Sequence, residues 1–184
     1  FFLGPWNQVA DMASFIAKYF RTYVADNPKI TLSAGITVHK PGEPIHTIAD
    51  LAEKELEKSK RRKVKGQEVK NGVTLFGVTT DWERFEQLLD KGRWIEGLIL
   101  DNKMTLGLAR RLMSYTDAHR RFMDGNIKAG MYKSHMEYDF SRNVYDHLRD
   151  KAESDSISAN LRSEDALQDL RLPLSWALYH LRSE

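Results

Sequence analysis

The stretch Ile30-Thr31-Leu32-Ser33-Ala34-Gly35-Ile36-Thr37-Val38 decides the fold. Its apolar residues fall at every second position, and Thr31, Ser33, Gly35 and Thr37 fall between them. A period of two predicts a strand with one face in a core. The other face is small and carries no Lys or Glu, so a ligand or another stretch of backbone can lie close against it.

Outward from this strand the elements alternate. Phe1 to Leu3 reads as the end of a strand closed by Gly4-Pro5. Asn7 is placed to cap a helix whose apolar positions are Val9, Met12, Ala13, Ile16, Phe20 and Val24. Asn27-Pro28 is expected to end it. After the turn-rich Pro41-Gly42-Glu43-Pro44, a second helix is expected near Thr47, with Asp50 three residues on as a short capping box. Arg61 to Gly72 reads as a charged loop, Val73 to Phe76 as a short strand, and Gly77 as its end.

From Thr80 onward the period is helical. Trp82, Phe85, Leu88 and Leu89 form a stripe stopped at Gly92. Leu106, Ala109, Leu112, Met113 and Phe122 form another, and Tyr132, Met136, Phe140, Val144 and Leu148 a third. Ala152 to Ser163 is Ser-rich and predicts a mobile loop. Pro173 opens a last helical turn. The expected fold class is α+β, with a mixed piece over residues 1–77 and an all-α piece over 78–184.

Composition bounds the chemistry. The 184 residues are 41% hydrophobic and 29% charged, which is globular. A net charge of +2 means that any phosphate or nucleic-acid role rests on local patches. Without cysteine there is no disulfide, thiolate metal site or Cys nucleophile, which fits a cytoplasmic setting. No apolar run approaches the roughly 20 residues that cross a bilayer, so no membrane partner is expected. The chain opens Phe-Phe-Leu, without Met, and reads as a piece of something longer.

The six histidines show no ligand spacing and read as ordinary surface or interface residues. There is no Walker A, GxGxxG, HExxH or assignable Ser-His-Asp set. The densest charge feature is Lys58, Lys60, Arg61, Arg62, Lys63, Lys65 and Lys70, interrupted by Glu68. It reads either as a solvated helix end favoured by the dipole or as a phosphate clamp. Ser33 divides the same way, between a solvent-facing serine and a ligand contact.

A strand, a helix, a T-x-S-x-G strand and the helix Ala52-Glu53-Lys54-Glu55-Leu56-Glu57-Lys58-Ser59-Lys60 before a last strand resemble the second half of a GGDEF-like (ferredoxin-like) Palm domain. Val73-Thr74-Leu75-Phe76-Gly77, Tyr138-Asp139-Phe140-Ser141-Arg142-Asn143 and Leu172-Pro173-Leu174-Ser175-Trp176-Ala177-Leu178-Tyr179 narrow it. They resemble the large subunit of type III-A (Csm-type) CRISPR interference complexes: half of its second Palm plus its C-terminal helical domain.

The resemblance implies a nucleotidyltransferase that joins ATP into cyclic oligoadenylates when target RNA is bound. It also implies a parent protein that cuts single-stranded DNA. Divalent metal, Mg or Mn, would be held by an acidic pair just before Phe1, so no catalytic residue is expected within the chain. Lys60 would neutralise the triphosphate, and Ser33 and Gly35 would line the sugar or base side. Implied partners are the other complex subunits, guide RNA and target RNA, and single-stranded DNA through the parent. The alternatives are a non-catalytic RNA-binding and assembly scaffold with a degenerate Palm, and a signalling cyclase using GTP.

Overall fold

A computed structural model describes residues 1–64 and 66–182. The chain is α+β and divides into two compact units, Phe1–Gln87 and Leu88–Glu184. The division falls beyond the expected boundary at 77, because the sheet and the start of the next helix continue past that point.

The first unit opens irregularly. Phe1–Leu3 is not a strand, pairs with no described strand and is largely exposed. Helix α1 runs Trp6–Tyr23 with Pro5, not Asn7, at its N-cap. Pro5 fixes an extended φ, and its carbonyl accepts from the amides of Gln8 and Val9. The helix ends four residues before Asn27. Ala25 and Asp26 adopt positive φ, and Asp26 takes the Arg21 guanidinium at 2.9 Å.

The expected nine-residue strand contracts to β1, Ala34–Ile36. Ile30 is instead part of a turn, its amide donating to the Asn27 carbonyl. The reason is the partner strand. β4 (Gly72–Leu75) is only four residues long and pairs in parallel as Ala34↔Val73, Gly35↔Thr74 and Ile36↔Leu75. Between them lie helix α2 (Ile45–Lys60) and a small exposed hairpin, β2 (Lys63–Val64) with β3 (Gln67–Glu68), within the segment expected to be loop. Helix α2 starts at Ile45 after Pro44 and has no side-chain cap.

Phe76 and Gly77, both at positive φ, turn β4 tightly into β5 (Val78–Asp81), so the sheet order is β1-β4-β5. Two adjacent positive-φ residues suit the twist of a two-residue hairpin. Thr74 and Thr79, paired across it, share a hydroxyl–hydroxyl bond of 2.9 Å. Helix α3 (Trp82–Leu100) begins directly after β5, its first turn closed by the Asp81 carboxylate accepting the Arg84 amide.

The second unit is helical: α4 (Leu106–Met123), a 3-10 turn (Ile127–Met131), α5 (Tyr132–Phe140), a π-helical turn (Ser141–Tyr145), α6 (Lys151–Arg162), α7 (Glu164–Asp169) and α8 (Arg171–His180). The third apolar stripe is its centre, with Tyr132, Met136, Phe140 and Val144 all buried. Burying each such side chain is worth about 1.5–3 kcal/mol.

Two expectations fail here. Gly92 does not stop α3; it is buried where a β-carbon would lie 3.1 Å from the Trp176 ring and 3.3 Å from the Pro173 carbonyl, so it admits α8. The Ser-rich stretch is helix α6. Its Ser154, Ile157, Ser158 and Leu161 recur at helical spacing and are buried. Asp150 caps the helix, and Ser154 returns its hydroxyl to the Asp150 carbonyl, so a buried serine is satisfied within the helix.

Candidate functional site

In the first unit, the start of β1, the end of α2 and the start of β4 meet at one end of the sheet. Ser33 immediately precedes the first register pair, Ala34↔Val73. The Ser33 hydroxyl accepts the Asn71 amide at 3.2 Å. A β-carbon on Gly72 would stand 2.8 Å from the Ser59 carbonyl, so the C-terminus of α2 lies over the same place. The structure therefore brings Ser33 and the last turn of α2, with Lys60, to one edge.

Most cations of the basic run are already engaged. Lys58 reaches Glu55 at 2.6 Å, Lys60 reaches Glu57 at 2.8 Å, and Arg61 lies 3.9 Å from the same Glu57. Arg62 extends across to Asp81 on β5 at 3.4 Å, a contact that ties α2's exit to the sheet. The hydrogen bond and charge of Lys60 hold the Glu57 carboxyl below its ordinary range. Lys63 stands opposite Glu68 in the hairpin and, like Lys70, makes no ion pair with a described residue. Lys65 lies outside the described residues.

Gly35 sits one step further in. A β-carbon there would collide with the Leu56 backbone nitrogen and stand 2.5 Å from the Ala52 carbonyl. The bare face of the strand is occupied by helix α2. Of the two occupants that the small residues allow, a ligand or a backbone, the structure fills Gly35 with backbone.

Beside β1 is a cavity of about 530 Å³, lined by Phe2, Met12, Ile16, Leu32, Ile48 and Trp82 among others, and also by Ser33, Gly35, Thr37 and Glu53. The Trp82 indole donates to the Leu32 carbonyl at 2.9 Å and so fixes the strand's entry. Sequence reasoning found neither this cavity nor the Arg62–Asp81 bridge. The signal for the bridge was present only as an acid at the end of a strand, read there as helix.

Among the described residues no three His, Asp or Glu side chains converge on a metal position. His39 pairs through Nδ1 with Glu43 at 2.6 Å. His119 is no surface histidine: it is buried against the Tyr132 hydroxyl at 2.8 Å. As a nucleotide surface, this edge offers Lys60, whose partly exposed bond to Glu57 is cheap to exchange for a phosphate. It also offers Ser33, whose own O–H remains free to donate while its oxygen accepts from Asn71.

A helix, a short parallel strand, a helix whose backbone seals a glycine, and a second strand in register form a compact α/β half-layer. Residues 1–71 match the family described as "Cas10/Cmr2, second palm domain". Over this segment the chain is similar to the Cas10/Cmr2 second palm domain. The chain is also 33% identical, over 87 residues, to the CRISPR system single-strand-specific deoxyribonuclease Cas10/Csm1 (subtype III-A) of Methanocaldococcus jannaschii. That match covers 44% of this chain and 11% of the relative, so the chain spans only a small part of the relative's length. No solved structure matches the chain significantly. No helix among the described residues is long and apolar enough to cross a membrane.

Proposed function

We propose that the chain is part of the large subunit of a type III-A CRISPR effector complex, acting in antiviral defence. In the parent protein its palm contributes to ATP-dependent synthesis of cyclic oligoadenylate triggered by target RNA, beside a single-stranded DNase activity. The observation that carries this reading is the match of residues 1–71 to the second palm of Cas10/Cmr2. Lys60 and Ser33, gathered at one end of the sheet, serve the nucleotide: Lys60 offers a point charge to a phosphate and Ser33 a hydroxyl to a sugar or phosphate oxygen. Gly35 serves by letting α2 sit close enough to present Lys60. The divalent ion would be held by an acidic pair of the parent protein, as the resemblance implies, and would supply charge stabilisation to the reacting phosphate.

The test is made on the complete subunit assembled with its partner subunits and guide RNA. Cyclic oligoadenylate appearing in the presence of ATP and divalent metal, only after target RNA is added, supports the reading. Target RNA that binds without product, in a complex whose DNA cleavage is intact, overturns it.

A second reading has its own observation. Lys60 and the hydroxyl oxygen of Ser33 each already have a partner inside the protein, Glu57 and the Asn71 amide. A palm whose polar groups serve only the fold is an assembly and RNA-binding scaffold. In that case Lys60→Ala leaves synthesis unchanged in any complex that makes product.

A further inference from the structure

Helix α4 carries a cationic stripe that none of the preceding readings uses. Arg110, Ser114, Asp117 and Arg121 recur at i, i+4, i+7 and i+11, which places them on one side of the helix. Arg110 and Arg121 are exposed and lie three turns apart, about 16 Å along the axis at 1.5 Å per residue. Neither guanidinium makes an ion pair with a described residue. The acid between them, Asp117, is held from two sides, by Arg120 at 3.1 Å and Arg171 at 2.7 Å. Arg111 is held by Asp139 at 2.7 Å. Acid neutralisation thus stops short of the two stripe arginines.

The surroundings decide what such a stripe suits. From residue 103 to 149 the chain has nine Lys and Arg against five Asp and Glu, a surplus of four positive charges. The exposed side chains between Gly107 and Arg121 are Arg110, Arg111, Ser114, Arg120 and Arg121, and the exposed apolar residues of α4, Leu106 and Met123, lie at its two ends rather than at the centre of the stripe. A protein partner needs an apolar or aromatic anchor at the centre of its contact. Nucleic-acid interfaces are polar and strongly positive, and Arg is the residue whose planar fork fits a phosphate. A single phosphodiester strand offers charges at intervals that two arginines three helical turns apart can take several nucleotides from one another.

The geometry points to the outer face of α4 as a contact for the phosphodiester backbone of a nucleic acid, with Arg110 and Arg121 each taking a phosphate. The inference rests on the RNA-guided reading above and deepens it by naming a surface. It does not require nucleotide chemistry in the palm, and its test uses no synthesis assay, so either can fail alone.

The experiment measures binding of a fluorescein-labelled 20-nucleotide single-stranded RNA, and of DNA of the same sequence, to the 184-residue chain by anisotropy across a salt series. The double variant Arg110→Gln/Arg121→Gln is compared with Lys18→Gln/Lys29→Gln, which removes the same charge from exposed positions of the first unit. The stripe variant is expected to bind at least about tenfold more weakly. Its slope of log K against log salt should be shallower by about 1.4, at roughly 0.7 per phosphate contact on a single strand. The control should shift neither quantity by as much. Thermal melts of all three proteins check folding, and a second variant, Arg110→Glu/Arg121→Glu, should weaken binding further with the melt unchanged. Loss confined to RNA or to DNA assigns the source of the phosphates. Equal binding by wild type and the stripe variant, equal loss in the control, or no binding by wild type at low salt overturns the proposal.

Discussion

Gly35 and Leu56 touch so closely that a β-carbon on the glycine would clash with the leucine's backbone nitrogen. Two backbones, one in a strand and one in a helix, meet there without a side chain between them. Neither can retreat as a flexible side chain would, because β1 is pinned by its ladder to β4 and α2 by its own hydrogen bonds. Gly35→Ala is therefore expected to destabilise the first unit by about 3 kcal/mol, the upper end for overpacked sites. Thermal unfolding of the variant checks this. Gly42→Ala, at an open position with φ of 91°, should cost only the smaller backbone penalty of about 1 kcal/mol. A Gly35→Ala chain as stable as wild type would mean that α2 does not rest on the strand.

The same contact shows what the sequence could and could not tell. The alternation from Ile30 to Val38 identified a strand with one bare face, and that face does receive a close neighbour. Alternation cannot say how much of a run finds a ladder partner, and β4 is too short to pair more than Ala34–Ile36. The apolar stripe through Phe140 and Val144 was legible because burial and helical period coincide. The Ser-rich α6 was misread because serine's small size and back-bonding to the helix let it be buried where composition suggests solvent. At the candidate site, Lys60 and Ser33 were legible as residue types, but their partners were not. Glu57 is a helix neighbour at i−3, whereas Asn71 reaches Ser33 only through the parallel register.

Lys60→Ala tests the cation at the end of α2. In the complete subunit the variant should make less cyclic oligoadenylate and bind ATP more weakly. The loss is about 1.5–3 kcal/mol if Lys60 holds a phosphate through a charge-assisted hydrogen bond. Target-RNA binding should persist. A second readout comes from the isolated chain: Lys60 holds the Glu57 carboxyl low, so its removal should raise the Glu57 titration midpoint, followed by carboxyl NMR. A raised Glu57 midpoint with unchanged synthesis would leave Lys60 as a partner of Glu57 and nothing more.

Ser33 has a structural task and a proposed one. Ser33→Ala removes the acceptor of the Asn71 amide, and the expected loss is about 0.5–1.5 kcal/mol, the net value of one hydrogen bond. Ser33→Leu places a large side chain in the lining of the cavity and should impair synthesis more than Ala does. Melting curves and product yields on both variants separate the tasks. If Leu is as active as wild type, no ligand uses this part of the cavity.

In the second unit the Tyr115 hydroxyl donates to Asp139 Oδ2 at 2.6 Å, and Arg111 Nε reaches the same oxygen at 2.7 Å. Burial first, then the bond to Asp139 and its negative charge, push the phenol up to about 12. In the unfolded chain it titrates near 10. Folding thus favours the protonated phenol, and its contribution is present in full below about pH 10. Between about 10 and 12 the unfolded phenol gives up its proton while the folded one keeps it, so stability falls as pH rises and the contribution is gone above the folded value. Tyr115→Phe lacks this ionisation. At neutral pH it should be less stable by about 1–2 kcal/mol, since Asp139 keeps Arg111 but loses a donor. Its urea-unfolding free energy should then decline less steeply than wild type's from pH 10 upward, so that the two curves converge. Parallel curves through that range would mean that the phenol is not held protonated by Asp139.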